Sequence, residues 1–363
     1  MTTTLEFCNE LKNIISCEDE SIKNNNVAIE FSDSQIKMLY ELFLAWKKRF
    51  KPEDIKKMII DILKRPNIEN GKVYEALVYA WLEKQNINFI PQSLILQENC
   101  FKASNQGYYA DGIIKENNII FDVKQFGIDL PHIETLRRKL QEKLPEDYYF
   151  TISGGKNISA KDLHKKFLVK MDKIAKRIMS EEHQIHGDYI YYENEYGFEF
   201  RAWDRKNNPI FTSISEFNPY QWAENNQFYF IHHASQFCKN SPYILFCPYD
   251  TQLAPLFSRE NDDLAFQSFR ALSRRIFMNL TKLENRKIIE FDGKAQKDIS
   301  VATAAKKISA IIFIDVSYDF NYSNCRMFVF QNPNADLKIP LHQIKSLFGY
   351  AGAAIEDFEY DNY

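Results

Sequence analysis

Apolar residues recur at helical spacing over residues 34–48 (SQIKMLYELFLAWKK) and 53–64 (EDIKKMIIDILK), with Asp33 or Ser34 and Pro52 as start signals. A third helical pattern begins at GKVYEALVYAWLEKQN (residues 71–86), after the breaker-rich RPNIENG, and gives way to strand-like alternation that runs to Phe126. Residues 132–144 read as a helix, DYYFTI (147–152) as a strand and 159–181 as a long basic helix. From residue 187 the pattern changes to aromatic hairpins, followed by a strand at 241–248, a helix near 262–283 and strands at 308–316 and 326–331. The expected fold is α/β, a mixed sheet flanked by helices. The expected organisation is a helical region at 1–66, an α/β core at 67–182, and an additional α+β region at 183–363 that either helps complete the sheet or recognises a target or partner. The acidic, aromatic end IEDFEYDNY reads as a frayed tail.

With 363 residues, 45% of them hydrophobic, the chain can bury a large core. No apolar run approaches the roughly 20 residues that span a bilayer, and MTTTLEFCNE lacks the basic-then-apolar pattern of a signal sequence, so a cytoplasmic protein is expected. The six cysteines are scattered, with no metal or redox spacing. A net charge of −3 gives no global attraction for nucleic acid, so such a partner would need a local patch. AKDLHKKFLVKMDKIAKR (160–177), with seven basic residues against two aspartates, is one candidate. The alternative is a solvated amphipathic helix with Leu163, Phe167, Lys170 and Ile174 on one face.

The stretch YYADGIIKENNIIFDVKQF (108–126) carries the chemistry. If KENN (115–118) is the turn of a hairpin, facing residues have numbers that sum to 233, and Asp111 faces Asp122 with Cβ atoms about 4.5–5.5 Å apart. Lys124, two residues on, shares their face, flanked by Ile113 and Ile120. Ala110, Ile114, Phe121 and Val123 point to the other face. Two carboxylates about 5 Å apart repel by about 3 kcal/mol at an effective dielectric near 20, enough to lift one pKa by about two. A divalent cation would remove the conflict, and Lys124 bridging both aspartates is the bland alternative.

The triplet Asp-x-Lys alone carries little, since it recurs at Asp54, Asp204, Asp292 and Asp336. The preceding helix adds context. Val78, Tyr79 and Leu82 lie three, four and seven residues after Glu75, which places this glutamate in an apolar face, where it needs a cation or a partner such as Lys72.

A helix with glutamate, a strand with aspartate, a strand carrying Asp-x-Lys, then a helix and another strand: this layout resembles the PD-(D/E)XK nuclease superfamily, the restriction-endonuclease-like fold. The segment is most similar to its Holliday-junction-resolvase-like and restriction-endonuclease-like branches. The likeness covers about 85 residues, with Ala110 where the superfamily's name has proline. It implies that Asp111 and Asp122 hold Mg²⁺ (or Mn²⁺) with the backbone carbonyl of Val123, that Glu75 contributes to the metal shell, and that Lys124 orients or deprotonates the attacking water. The implied activity is metal-dependent hydrolysis of DNA phosphodiesters, as an endonuclease of restriction or other defence type. The alternatives are an inactive nuclease-fold module that binds nucleic acid or serves assembly, a junction-resolving nuclease and an RNA-cleaving nuclease. Arg137, Arg138 and Lys139, with Lys165, Lys166, Lys170 and Lys173 of the basic helix, are the expected phosphate-backbone contacts. A homodimer would supply two cutting sites. GGKNIS (154–159) lacks P-loop spacing, so any ATPase activity would come from a partner subunit. His183 with His186 lacks a third ligand, and His232-His233 in a strand would point to opposite faces.

Overall fold

The computed structural model describes residues 33–51, 55, 71–95, 99, 108–124, 140–141, 143–145, 148–153, 170–178, 180, 184–185, 188–193, 198–204, 218–232, 234–249, 257, 261–289, 295–316, 326–349 and 353–358. In chain order the elements begin with α1 (Asp33–Lys47), α2 (Gly71–Lys84), β1 (Phe89–Ile95), β2 (Tyr108–Ile114), β3 (Ile119–Val123) and β4 (Tyr148–Ser153). Next come α3 (Met171–Ile178), β5 (Gln184–Ile185), β6 (Asp188–Glu193), β7 (Phe198–Asp204), α4 (Pro219–Asn226) and β8 (Tyr243–Tyr249). The last are α5 (Asp262–Arg274), β9 (Lys287–Ile289), β10 (Ala295–Ser300), α6 (Val301–Lys307), β11 (Ala310–Asp315), β12 (Met327–Gln331), α7 (Leu341–Phe348) and β13 (Ala353–Glu356). They form two compact units, residues 1–126 with 217–363, and residues 127–216.

The larger unit is built on a seven-stranded mixed sheet in the order β1-β2-β3-β8-β11-β12-β13. β1, β2 and β3 form an antiparallel meander, β8 runs parallel to β3, β11 is parallel to β8, β12 turns back antiparallel, and β13 is parallel to β12. Every residue of β8, β11 and β12 is buried, the continuous apolar pattern of strands covered on both faces. One face presents Ile114, Phe121, Ile244, Phe246, Ile312 and Val329 to α1, α2 and α7. α2 buries ten consecutive residues, Val73–Leu82, because it is packed on more than one side. On the opposite face, Phe269 of α5 stacks on Phe313 at 4.1 Å and meets Tyr249 and Phe328, while Trp222 of α4 packs on Phe269.

The smaller unit has its own four-stranded antiparallel sheet, β4-β7-β6-β5. Phe198, Phe200 and Ala202 of β7 are buried, as are Ile174, Ala175 and Ile178 of α3.

This division corrects the expected one. The strand foreseen at 147–152 belongs to the 127–216 unit and not to the sheet that carries Asp111 and Asp122. Of the two roles expected for the region after residue 183, completing the sheet is the one seen, through β8, β11, β12 and β13. The N-terminal helix is no separate region either, since Met38, Leu42 and Trp46 sit in the core shared with α2. The C-terminal end is not simply frayed: Ala353–Glu356 pair with β12, and Phe358 is buried against Phe330. His232 follows a short 3-10 turn (Tyr229–Ile231) where a strand was expected. Apart from Ile55, the helix foreseen at 53–64 lies outside the described residues, as do His183, His186 and most of the helix foreseen at 132–144.

Candidate functional site

Residues 115–118 do form the turn between β2 and β3. A 3-10 turn spans Glu116–Asn118, and Asn117 (φ 72°) and Asn118 (φ 50°) take the left-handed conformation that asparagine tolerates better than most side chains. The pairs Gly112↔Phe121, Ile113↔Ile120 and Ile114↔Ile119 fix the register at the expected sum of 233. Gly112, between the two acid positions, is required there: a Cβ would run into the Phe121 ring and the carbonyl of Ile90.

One step beyond the last ladder pair, the two aspartates clasp each other's strand. Asp122 Oδ1 accepts the backbone N–H of Asp111 at 3.0 Å, and Asp111 Oδ2 accepts the backbone N–H of Val123 at 2.7 Å. Each carboxylate therefore takes a hydrogen bond from main chain beside the other. The remaining oxygen of Asp122, Oδ2, accepts from the hydroxyl of Tyr243 and, at 3.4 Å, from that of Tyr108, and the amine of Lys124 lies 3.9 Å from it. Asp122 is fully buried, Asp111 and Lys124 half-buried. Among the described residues, Oδ1 of Asp111 has no hydrogen-bond donor.

Glu75 reaches this cluster from α2 through Tyr79, one turn further along the same helix. The Tyr79 hydroxyl donates to Glu75 Oε1 at 2.7 Å or to the backbone carbonyl of Asp111 at 2.5 Å; it has one proton for two acceptors. It also accepts from the backbone N–H of Gln92, whose φ of 48° is left-handed. Gln92 is the residue skipped between Pro91↔Gly112 and Ser93↔Ala110, so the Tyr79 hydroxyl stands where β1 and β2 would otherwise pair opposite Asp111. Lys72 holds the second oxygen of Glu75.

Burial and crowded negative charge raise the Asp111 pKa from 3.8 to about 8. Removal from water is the first cause, the charges of Asp122 and Glu75 follow, and the Val123 N–H and Lys124 pull the other way. Burial next to Asp122 likewise pushes the hydroxyls of Tyr243 and Tyr108 well above the usual tyrosine range, so both remain hydrogen-bond donors. Among the described residues no group of three His, Cys, Asp or Glu side chains forms a ready metal cage. A hard cation of the Mg²⁺ type needs less from protein, one or two carboxylates with water completing its shell. The donor set fits that demand in atom type and charge. Asp111 supplies a carboxylate oxygen with no donor among the described residues, and Asp122 and Glu75 add negative charge beside it that a cation would offset.

Of the expected nucleic-acid contacts, Lys170 and Lys173 are exposed residues of the 127–216 unit, while Arg137, Arg138, Lys139, Lys165 and Lys166 lie outside the described residues. Tyr79, Tyr108 and Tyr243 are site residues that sequence reasoning missed. Tyr79 lies four residues after Glu75 on a helix, a spacing that brings side chains together. Tyr243 joins the acids only because β8 pairs with β3 across some 120 residues, for which no local signal exists. No family model, curated protein or solved structure matched the chain in the comparisons. No helix among the described residues is long and apolar enough to cross a membrane.

Proposed function

We propose that this protein is a divalent-cation-dependent nuclease that hydrolyses DNA phosphodiester bonds, built on the PD-(D/E)XK plan that its sequence resembles. The arrangement of the larger unit supports this reading: a glutamate-bearing helix (α2), a meander with Asp111 on its second strand, Asp122 on its third and Lys124 just past it, and, after β4–β7 and α3 of the 127–216 unit, α4 and a strand (β8) parallel to the third. The observation that carries it is the mutual clasp of Asp111 and Asp122, which brings two carboxylates and one amine together at the end of a hairpin.

Asp111 Oδ1, Asp122 Oδ2 and the carbonyl of Val123 are the groups that would hold Mg²⁺ or Mn²⁺. When bound, such an ion polarises a phosphate oxygen and lowers the pKa of water. Lys124 sets a positive charge beside Asp122, where it can orient an attacking water and offset charge on the phosphate. Tyr79 holds Glu75 and the main chain of Asp111 in one arrangement.

The test is cleavage of plasmid, linear, branched and single-stranded DNA with Mg²⁺ or Mn²⁺, with and without EDTA, for the wild type and Lys124→Ala. Cation-dependent cutting that disappears in the variant is the expected result. Equal behaviour of the two proteins on every substrate removes the assignment. A second reading, a nucleic-acid-binding module without catalysis, draws on the full burial of Asp122 and on the protein donors that engage both its oxygens. It predicts DNA binding with no cutting under any of these conditions.

A further inference from the structure

α5 turns one stripe of its surface outward. Gln267, Arg270 and Arg274, spaced by three and four residues, line a cavity of about 330 Å³. The helix then continues into a π-helical turn, Arg275–Asn279, a rare conformation that recurs at functional sites, and this turn adds Arg275 and Asn279 to the wall. Tyr220, in the first turn of α4, completes it and is 68% exposed. Asn218 caps that turn, its side chain accepting the N–H groups of Tyr220 and Gln221, so the tyrosine is carried on ordered backbone.

The wall contains three guanidinium groups and no carboxylate. Arg270 Nε donates to Glu356 at 3.2 Å, with its guanidinium 5.2 Å from the Phe358 ring, and Arg275 Nη2 donates to Glu224 at 3.1 Å, both acids lying outside the wall. These contacts orient the planar groups. A guanidinium has five N–H donors, so the single nitrogen that Arg275 gives to Glu224 does not exhaust it. The wall thus turns guanidinium groups toward a concave space, with the carboxylates of Glu224 and Glu356 paired to two of them from outside it.

The chemistry that matches such a wall is an anion with planar or tetrahedral oxygens joined to a flat ring. Arginines bind phosphate oxygens in pairs, an exposed tyrosine offers a stacking platform, and the amides of Gln267 and Asn279 can both donate to and accept from a base edge. The position in the fold agrees. Tyr249 contacts α5, Tyr243 contacts Asp122, and the two are six residues apart on β8, hence on one face of the sheet. The cavity and the acids therefore lie on the same side of it.

We propose that this cavity binds one nucleotide unit of a single DNA strand, its phosphate on Arg274 and Arg275 and its base on Tyr220. The choice of DNA strand as the source rests on the nuclease reading; the nucleotide chemistry does not.

The experiment measures anisotropy of a short fluorescein-labelled single-stranded oligonucleotide with the full chain in EDTA, so that cutting plays no part. Tyr220→Ala and Arg274→Glu should each weaken binding about tenfold, and Tyr220→Trp should restore it. Arg274→Gln should reduce the slope of log affinity against log salt by about 0.7, the value for one phosphate contact on a single strand. Lys345→Glu, an exposed reversal on α7, should leave binding unchanged. Thermal melts of each variant confirm folding, and the exposed Tyr220 gives a pair of substitutions that disturbs no core. Competition by dAMP as effective as by unlabelled oligonucleotide assigns the cavity to free nucleotides; competition that requires a strand assigns it to DNA. Wild-type binding by both Tyr220→Ala and Arg274→Glu, or equal weakening by Lys345→Glu, overturns the proposal. The two readings fail separately, since Lys124→Ala tests cleavage while Tyr220→Ala and Arg274→Glu test the cavity. Absent cutting by the wild type alongside weakened binding by Tyr220→Ala would sink the nuclease and leave the cavity standing.

Discussion

The middle of the large sheet and its β2 side handle their side chains in different ways. In β8, β11 and β12 no position reaches water, and α1, α2 and α7 on one face and α4 and α5 on the other supply the cover. In β2, burial alternates from residue 109 onward, with Ala110, Gly112 and Ile114 inside and Asp111 and Ile113 partly open. Strands buried on both faces are filled almost wholly with apolar groups, Asp315 and Gln331 at strand ends aside, and they hold the fold. A strand covered on one face leaves its other face available for ionisable groups, as at partly open Asp111, whereas its neighbour Asp122 is fully buried and is held there by the Asp111 N–H and the Tyr243 hydroxyl.

The sharpest way to break this contrast is to mutate each region and compare readouts. Phe246, fully buried on β8, meets Trp81, Phe121 and Phe348. Phe246→Ala should cost about 3–5 kcal/mol in denaturant unfolding, a large share of the stability of an ordinary domain. Lys124→Ala should do the reverse, lowering cleavage by about a hundredfold or more while the unfolding midpoint stays near that of the wild type. A Lys124→Ala protein that melts like Phe246→Ala would show that the amine is a structural ion-pair partner of Asp122.

Asp111 allows a finer test by pH. Its carboxyl titrates near 3.8 when the chain is unfolded and near 8 when folded. Below pH 3.8 both states carry the proton, and the folded protein has its full stability with respect to this group. Between 3.8 and about 8 the unfolded chain ionises first, so stability falls as pH rises; above about 8 both are ionised and the fall stops. Asp111→Asn should flatten that decline, read as the difference between the two stability profiles. Mg²⁺ at pH 8 should raise the melting temperature of the wild type and leave that of Asp111→Asn nearly unchanged. Parallel profiles with no response to Mg²⁺ would mean that Asp111 neither keeps its proton nor takes a cation.

Much of this site was legible in the sequence, for local reasons. Two asparagines in a polar tetrad mark a turn, alternation sets the two faces, and once the turn is placed the sum rule leaves one register, so Asp111 and Asp122 had to meet. Glu75 declared itself by its apolar neighbours. What stayed hidden depends on distant pairing. The 127–216 unit shows the same helix and strand periodicities as its surroundings, and nothing local says that β3 resumes its sheet only at β8. β13, four half-buried residues at the sheet edge, has too short a pattern to read, and the acidic residues after it suggested a tail. Arg270, Arg274 and Arg275 fall within the helix foreseen near 262–283, and nothing in its pattern says that α4 brings Tyr220 to the same cavity.

The smallest expected effects lie where the two regions touch. Tyr243 belongs to fully buried β8, yet its hydroxyl serves Asp122, so it answers to both kinds of constraint. Tyr243→Phe keeps the ring against Phe237 and removes only the donor to a buried carboxylate, which should cost about 1.5–3 kcal/mol. Tyr108 donates to the same oxygen from 3.4 Å, a long and weak contact, and Tyr108→Phe should cost less than about 1 kcal/mol. If Asp122 Oδ2 is a cation ligand, each change should also tighten Mg²⁺ binding, because each removes a competitor for that oxygen, and Tyr243→Phe should tighten it more. Titration of the melting temperature with Mg²⁺ reads both. A stability loss with Mg²⁺ affinity unchanged in both variants would make the two tyrosines fasteners for a buried carboxylate and would remove Asp122 from the metal shell.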